Sequence, residues 1–344
     1  MNLMNISQNK IVIATIIIVV LASILIIFYI SSPVQSNIPI SNQTSQPNIQ
    51  PTQNVSQTKQ MLLISDTENH RIIQVSFDSD KKIEWQYGCS TINNLGRCST
   101  DLLYRPTSAA KTQNGVVIAD RMNNRVIEVS KDGEVLWTFD YAIDRKIWYP
   151  NYATETSEGH MLIADGFNHR ILEVDKEDGV VWSYGCSILN TVGKCAYGTD
   201  PDMLRNPQMA ERLSNGNTLI TDTENSRVLE VDKSKNIVWE LNKTLSMPYG
   251  AHKLNNGNVL IANTKANSVL EYDKDYNVVW MIDEGLSFPT DAIRLIDGNT
   301  LIVDSYNNRV IEVNKYGDII WQYGDGKFGA SENQVGKPST VAVI

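Results

Sequence analysis

Histidine is scarce in this chain of 344 residues, with four copies, and one of them stands where it could do chemistry. His252 lies in Pro248-Tyr-Gly-Ala-His-Lys-Leu, a short run of strand character, with Lys253 beside it. Arg294 occupies a comparable place in a later segment. An imidazole titrates near neutral pH and can act as nucleophile or general base, and neighbouring cations would stabilise negative charge on a transferred group. His70 and His169 stand instead at the x of Asn-x-Arg, where Asn124, Ser226 and Asn308 are found elsewhere. That place reads as a turn.

The four cysteines fall in two matched segments, Cys89 to Cys98 and Cys186 to Cys195, both separated by nine positions. Neither segment contains a histidine, which argues against zinc, and an even count in matched local pairs reads as two disulfides outside the cytoplasm. There is no Gly-x-Ser-x-Gly, His-Glu-x-x-His or phosphate loop. No cofactor and no metal are expected.

The elements that must position these residues are repeats. Leu63-Ile-Ser-Asp66, Val117-Ile-Ala-Asp120, Leu162-Ile-Ala-Asp165, Leu219-Ile-Thr-Asp222, Leu260-Ile-Ala-Asn263 and Leu301-Ile-Val-Asp304 recur at intervals of 41 to 57. Five of the six continue into Asn-x-Arg; in the fifth, Asn263 and Ser268 replace the Asp and Arg together. That joint change predicts a structural pair, because losing one partner leaves the other unpaired. Trp85, Trp137, Trp182, Trp239, Trp280 and Trp321 close the units and are expected between them, whereas Trp148 stands outside the register.

A period of about forty residues is blade length for a propeller, and turn signals divide each unit into four strands. The inner strand opens with Pro106, Pro150, Pro207, Pro248 or Pro289, and a proline is tolerated at a strand's first residue. The sixth such strand is the C-terminal Pro338-Ser-Thr-Val-Ala-Val-Ile344, while the first unit, from Met61, lacks one. The fold expected is all-β, a six-bladed β-propeller over 61–344 whose two ends complete one blade, since a shared blade removes an open sheet edge. Concavity and convergence of polar groups then make the channel mouth the default binding site. Its candidates are Asn151, Tyr152, Gln208, Tyr249 and Asp291, with Lys253 and Arg294 on the same strands.

The unit Asn-Gly-Asn-Thr-Leu-Ile-Thr-Asp222-Thr-Glu-Asn-Ser-Arg227-Val-Leu-Glu-Val-Asp resembles the NHL-repeat family and, with its closing Ile-Val-Trp239, the propellers grouped with arylsulfate sulfotransferases. The NHL resemblance implies a binding platform for a small molecule, glycan or protein at the face bearing the channel mouth. The sulfotransferase resemblance implies the alternative, an enzyme carrying sulfate on a channel histidine, here His252. Similarity to lactonase-like propellers would imply a channel calcium, but Asp291 and Asn151 are too few for a cation that takes six to eight oxygens.

Ile11 to Ile30 carries no charge and is long enough for a transmembrane helix spanning about 30 Å of hydrocarbon. Lys10 precedes it and the next basic residue is Lys59, which places residues 1–10 in the cytoplasm and everything after 30 outside. Residues 31–60, rich in Ser, Gln, Asn, Pro and Thr, read as a disordered linker. The expected product is a single-pass membrane protein with an extracytoplasmic propeller. A net charge of −9 argues against nucleic acid, whose affinity rests on basic residues.

Overall fold

The computed structural model describes residues 60–89, 91, 98, 102–142, 145–186, 189 and 195–344. The segment expected to span the membrane, 11–30, lies outside them, as do 31–59 of the expected linker; among the described residues no helix is long and apolar enough to cross a membrane. Thr58–Ile344 forms a compact unit made of six four-stranded antiparallel sheets, with a small hairpin at Tyr141–Ala142 and Arg145–Lys146.

Each sheet is a blade of a β-propeller. In the fifth, Ala251–Lys253 is innermost, followed outward by Val259–Asn263, Ser268–Tyr272 and Val278–Ile282. The second and third strands are buried throughout and largely apolar, as strands covered on both sides are. The outer strand is largely exposed, with the half-buried Trp280 packed on the core formed with the next blade. The first blade is assembled from both chain ends. Val341–Val343 pairs antiparallel with Met61–Asp66, in the register Leu62 to Val343 and Ile64 to Val341. Leu62, Ile64 and Val341 then share one core with Leu301 and Val303 of the sixth blade. The expected closure is the one observed.

The blade-closing tryptophans join neighbours by more than packing. Trp85, Trp182, Trp280 and Trp321 each donate the indole N–H to a backbone carbonyl of the next blade, at Lys131, Lys233, Lys315 and Asp78 respectively, over 2.7–3.1 Å. An indole packed at such a seam usually finds an acceptor for its N–H, so each one sets the spacing of two blades as well as filling the gap between them.

The marker aspartates are buried junctions. Asp66, Asp120, Asp165, Asp222 and Asp304 are fully buried, and each accepts the Nε–H of its Arg71, Arg125, Arg170, Arg227 or Arg309 at 2.6–2.8 Å. Each also accepts a backbone N–H from the segment entering its own inner strand: Gly336, Tyr104, Trp148, Arg205 and Ser287. Asn263 keeps that bond, to Ser246 at 2.6 Å, so the neutral variant retains the part that does not need a charge. Cys89–Cys98 and Cys186–Cys195 are disulfide-bonded, with Cα atoms 4.6 and 4.8 Å apart.

Candidate functional site

Between second and third strands every blade makes a three-residue 3-10 turn closed by a residue in the left-handed region: His70, Asn124, His169, Ser226, Asn267 and Asn308. The side chain of that residue accepts a backbone N–H from the next blade, at Arg105, Tyr149, Asn206, Met247, Phe288 and Lys337 respectively, over 2.8–3.3 Å. The two histidines accept through Nδ1, which requires them neutral there, and burial lowers the pKa of both.

The six acceptor-bound residues share a second property. Each immediately precedes an inner-strand proline, and each has φ between 44° and 55°. Bulky residues rarely adopt this conformation, and a following proline normally pushes its predecessor to extended backbone. Such strain costs on the order of 1–3 kcal/mol per residue and persists only where the surroundings over-determine it. Here the bond from the neighbouring blade and the buried aspartate do so. The result is a ring of six fixed backbone positions around the entry ends of the inner strands, alike in conformation and different in side-chain chemistry.

Inside that ring the expected mouth residues converge. Asn151, Tyr152, Gln208, Tyr249 and Asp291 line a narrow neck of about 60 Å³ together with Thr107, Thr290 and Ser339. The neck opens outward into a cleft of about 320 Å³, in the size range of roughly 300–1,000 Å³ typical of small-ligand sites. The wall of the cleft is an aromatic arc. Tyr249 meets Phe288 edge-on at 5.4 Å, Phe288 stacks on Tyr306 at 4.4 Å, and the Lys337 ammonium lies 5.0 Å from the Tyr306 ring. Trp148, out of the blade register, packs edge-on against Phe167 of the same cleft.

Sequence reasoning missed the residue that stands out most. The position after each marker is Thr67, Gly166, Thr223, Thr264 or Ser305 in five blades, and Arg121 in the second. The guanidinium of Arg121 donates from Nε to Asn151 Oδ1 at 3.0 Å and lies over the Tyr149 and Phe167 rings at 4.7 and 5.8 Å. Asn151 is fixed in turn by Asn206 Oδ1 and the Pro207 carbonyl. Gly166 makes room for it, since a Cβ there would stand 2.2 Å from Asn151 Nδ2. Burial and the nearby Arg105 lower the Arg121 pKa. No carboxylate among the described residues lies within ion-pair reach of it. The signal was in the sequence, as the one break in a column of small residues.

His252 meets the mouth through one bond. Its Nε2 is 2.9 Å from Asp291 Oδ1 and its Nδ1 is 3.7 Å from Glu211 Oε2. Gly250 leaves space for that carboxylate, because a Cβ there would sit 2.6 Å from Asp291 Oδ1. Burial pulls the imidazolium pKa down, but the hydrogen bond to Asp291 and the charges of Asp291 and Glu211 outweigh it and hold the pKa above the ordinary value. Burial, then Asp291 and Glu211, push the Tyr152 hydroxyl strongly upward. The Asp291 side chain also accepts the Val341 N–H at 3.3 Å, fastening the last inner strand to the sixth blade.

From His252 the channel opens the other way, into a separate cleft of about 550 Å³ at the exit ends of the inner strands, lined by Glu211, His252, Lys253 and Arg294. The cations here are occupied. Arg294 pairs with Glu271 at 2.7 Å and lies 4.6 Å over the Trp280 ring; Lys253 pairs with Glu230 at 3.4 Å and lies 5.5 Å over Trp239. Arg212, equivalent in the fourth blade, pairs with Glu173 and lies over Trp182. Lys253 and Arg294 are thus placed as staples between blades, away from the mouth that brings the other five expected binding residues together.

No protein-family model and no curated protein matches the sequence. Solved structures do. A protein of unknown function from Bacteroides caccae is 18% identical over 83% of this chain and 99% of that chain, with a TM-score of 0.61. A catalytically inactive virginiamycin B lyase from Staphylococcus aureus, solved with quinupristin, is 12% identical over 78% of this chain and 85% of that one, with a TM-score of 0.51. A streptogramin B lyase gives 14% identity, 79% and 84% coverage, and the same TM-score. At these identities the likeness is one of fold, the six-bladed propeller.

Proposed function

We propose that this propeller is a binding platform, held outside the cytoplasm by an N-terminal membrane anchor at 11–30, that takes its ligand at the face bearing the channel mouth. One observation carries the reading. The six pre-proline positions have the same strained backbone but differ in every side chain: Arg105, Tyr149, Asn206, Met247, Phe288 and Lys337. The bonds that hold this frame are made by the backbone and leave the side chains free to differ, and four of the six, Arg105, Asn206, Phe288 and Lys337, line the cleft, which supports recognition there.

The surroundings of His252 weigh against the sulfotransferase alternative. Two carboxylates flank its ring, and they would repel a sulfuryl group that needs cations about it. The test uses the full chain on intact cells, with a photo-crosslinking amino acid at Tyr306 on the mouth rim or at the fully exposed Ile296 on the opposite face. Products from position 306 alone are expected; equal products from both positions would overturn the assignment of the face. Sulfate transfer from an aryl sulfate to a phenol, abolished in His252→Ala, would replace the platform reading with the enzymatic one.

A further inference from the structure

We propose that the cleft above the channel mouth takes an acidic carbohydrate, with the carboxylate or sulfate ester of the sugar seated on the Arg121 guanidinium. The inference rests on the mouth being the binding face and names what it holds.

The charge pattern selects an anion. Three basic side chains line the cleft, Arg105, Arg121 and Lys337, against two acids, Glu68 and Glu224. Both acids are engaged, Glu68 with Arg105 at 2.6 Å and Glu224 with Arg205 at 3.0 Å. Arg121 is left with a side-chain amide on Nε and a long contact from Nη1 to the Met122 sulfur at 3.8 Å. Its terminal nitrogens therefore retain donors in the fork geometry that suits a carboxylate or sulfate. A half-buried cation without a counterion is costly unless something supplies the charge. The five small residues at this position in the other blades show that the fold does not need it.

The remaining lining selects a sugar. Toward the neck the cleft is floored by hydroxyls and an amide, from Thr107, Gln208, Thr290 and Ser339, while its wall is the arc of Tyr249, Phe288 and Tyr306. A pyranose has an apolar C–H face for the rings and a polar edge for the hydroxyls. The Thr107, Thr290 and Ser339 hydroxyls already donate to the Pro150, Pro338 and Thr107 carbonyls, which leaves their oxygens to accept from a ligand hydroxyl, a match that a flat aromatic anion without hydroxyls does not make. The cleft volume of about 320 Å³ accommodates a terminal sugar unit rather than a long polymer.

The test presents the purified full chain to immobilised glycans in three arms, uronate-terminated, sulfated and neutral with matched backbones. The wild-type chain is expected to retain one of the acidic arms, which also decides between carboxylate and sulfate. Arg121→Met should weaken that retention at least about tenfold, or roughly 1.4 kcal/mol, with Arg121→Lys intermediate and Tyr306→Ser also weaker. An unchanged melting temperature would certify the fold of each variant. Preference for the neutral arm, retention indifferent to Arg121→Met, or retention of no glycan would each overturn the proposal. Neutral retention lost in Tyr306→Ser alone would sink the acidic sugar and leave the mouth as the site, whereas retention indifferent to both residues would sink the site as well.

Discussion

The two ends of the central channel are built from the same six strands, yet the cations set deepest in each are treated in opposite ways. At the exit end, Arg212, Lys253 and Arg294 each meet a glutamate from the preceding blade and lie over its tryptophan. At the entry end, Arg121 has rings and an amide around it and no carboxylate. The exit end repeats because it solves one problem, holding neighbouring blades together, three times over. The entry end also holds ion pairs, Arg105 with Glu68 and Arg205 with Glu224, but no one arrangement recurs there from blade to blade. In a repeat protein, departure from internal symmetry on an otherwise symmetric backbone is the better guide to a site than polarity or position in the channel.

The frame under the entry ring should be where the contrast breaks most severely. Arg71 is 2% exposed, bonded to Asp66 and to the Ala330 and Gln334 carbonyls. Arg71→Met strands a fully buried carboxylate, and a loss of about 3–5 kcal/mol is expected, measured by denaturant unfolding. A loss under about 1 kcal/mol would mean that the buried pairs are not what supports the mouth.

A smaller effect sharpens the comparison directly. Arg294→Met leaves the mostly buried Glu271 with Asn258 but without its cation and should destabilise by about 1–3 kcal/mol. Arg121→Met removes a cation that has no carboxylate and should fall within about 0.5 kcal/mol of wild type. Equal losses in the two unfolding curves would erase the distinction drawn between the two ends.

The smallest effect concerns His252, which stands between the two ends. Because the folded pKa of His252 is raised, its charge stabilises the fold fully below the unfolded value of about 6.5. That contribution is lost as pH rises through the folded value. The stability gap between wild type and His252→Gln should therefore be widest in acid and close on the alkaline side. A gap that widens with rising pH would show that the imidazole is held neutral.

The blade count and the shared first blade were legible because markers such as Asp66 and Asp304 recur and the two chain ends are complementary fragments. Asn151 and Asp291 were found by their distance from a proline. What failed to show was direction. Lys253 and Arg294 share strands with mouth residues, but each lies five positions past its proline, far enough to reach the exit end, and the register shifts between Pro150 and Tyr152 and between Pro289 and Asp291 blur simple alternation. The strained ring was hidden for a different reason. A residue before proline is expected to be extended, and bonds between segments far apart in sequence, from the neighbouring blade and from the buried marker residue, make the left-handed conformation tenable.

The first blade, completed by strand Val341–Val343, also sets a timetable for the chain. Gly336 and Asp66 meet across 270 positions of sequence, so during synthesis the strand Met61–Asp66 waits with one edge uncovered until Val341–Val343 has emerged. An uncovered edge invites pairing with any passing strand, and closure over so long a separation is slow. The ring is therefore latched last, and a chain interrupted before Val341 carries five blades in place and an open seam at the first.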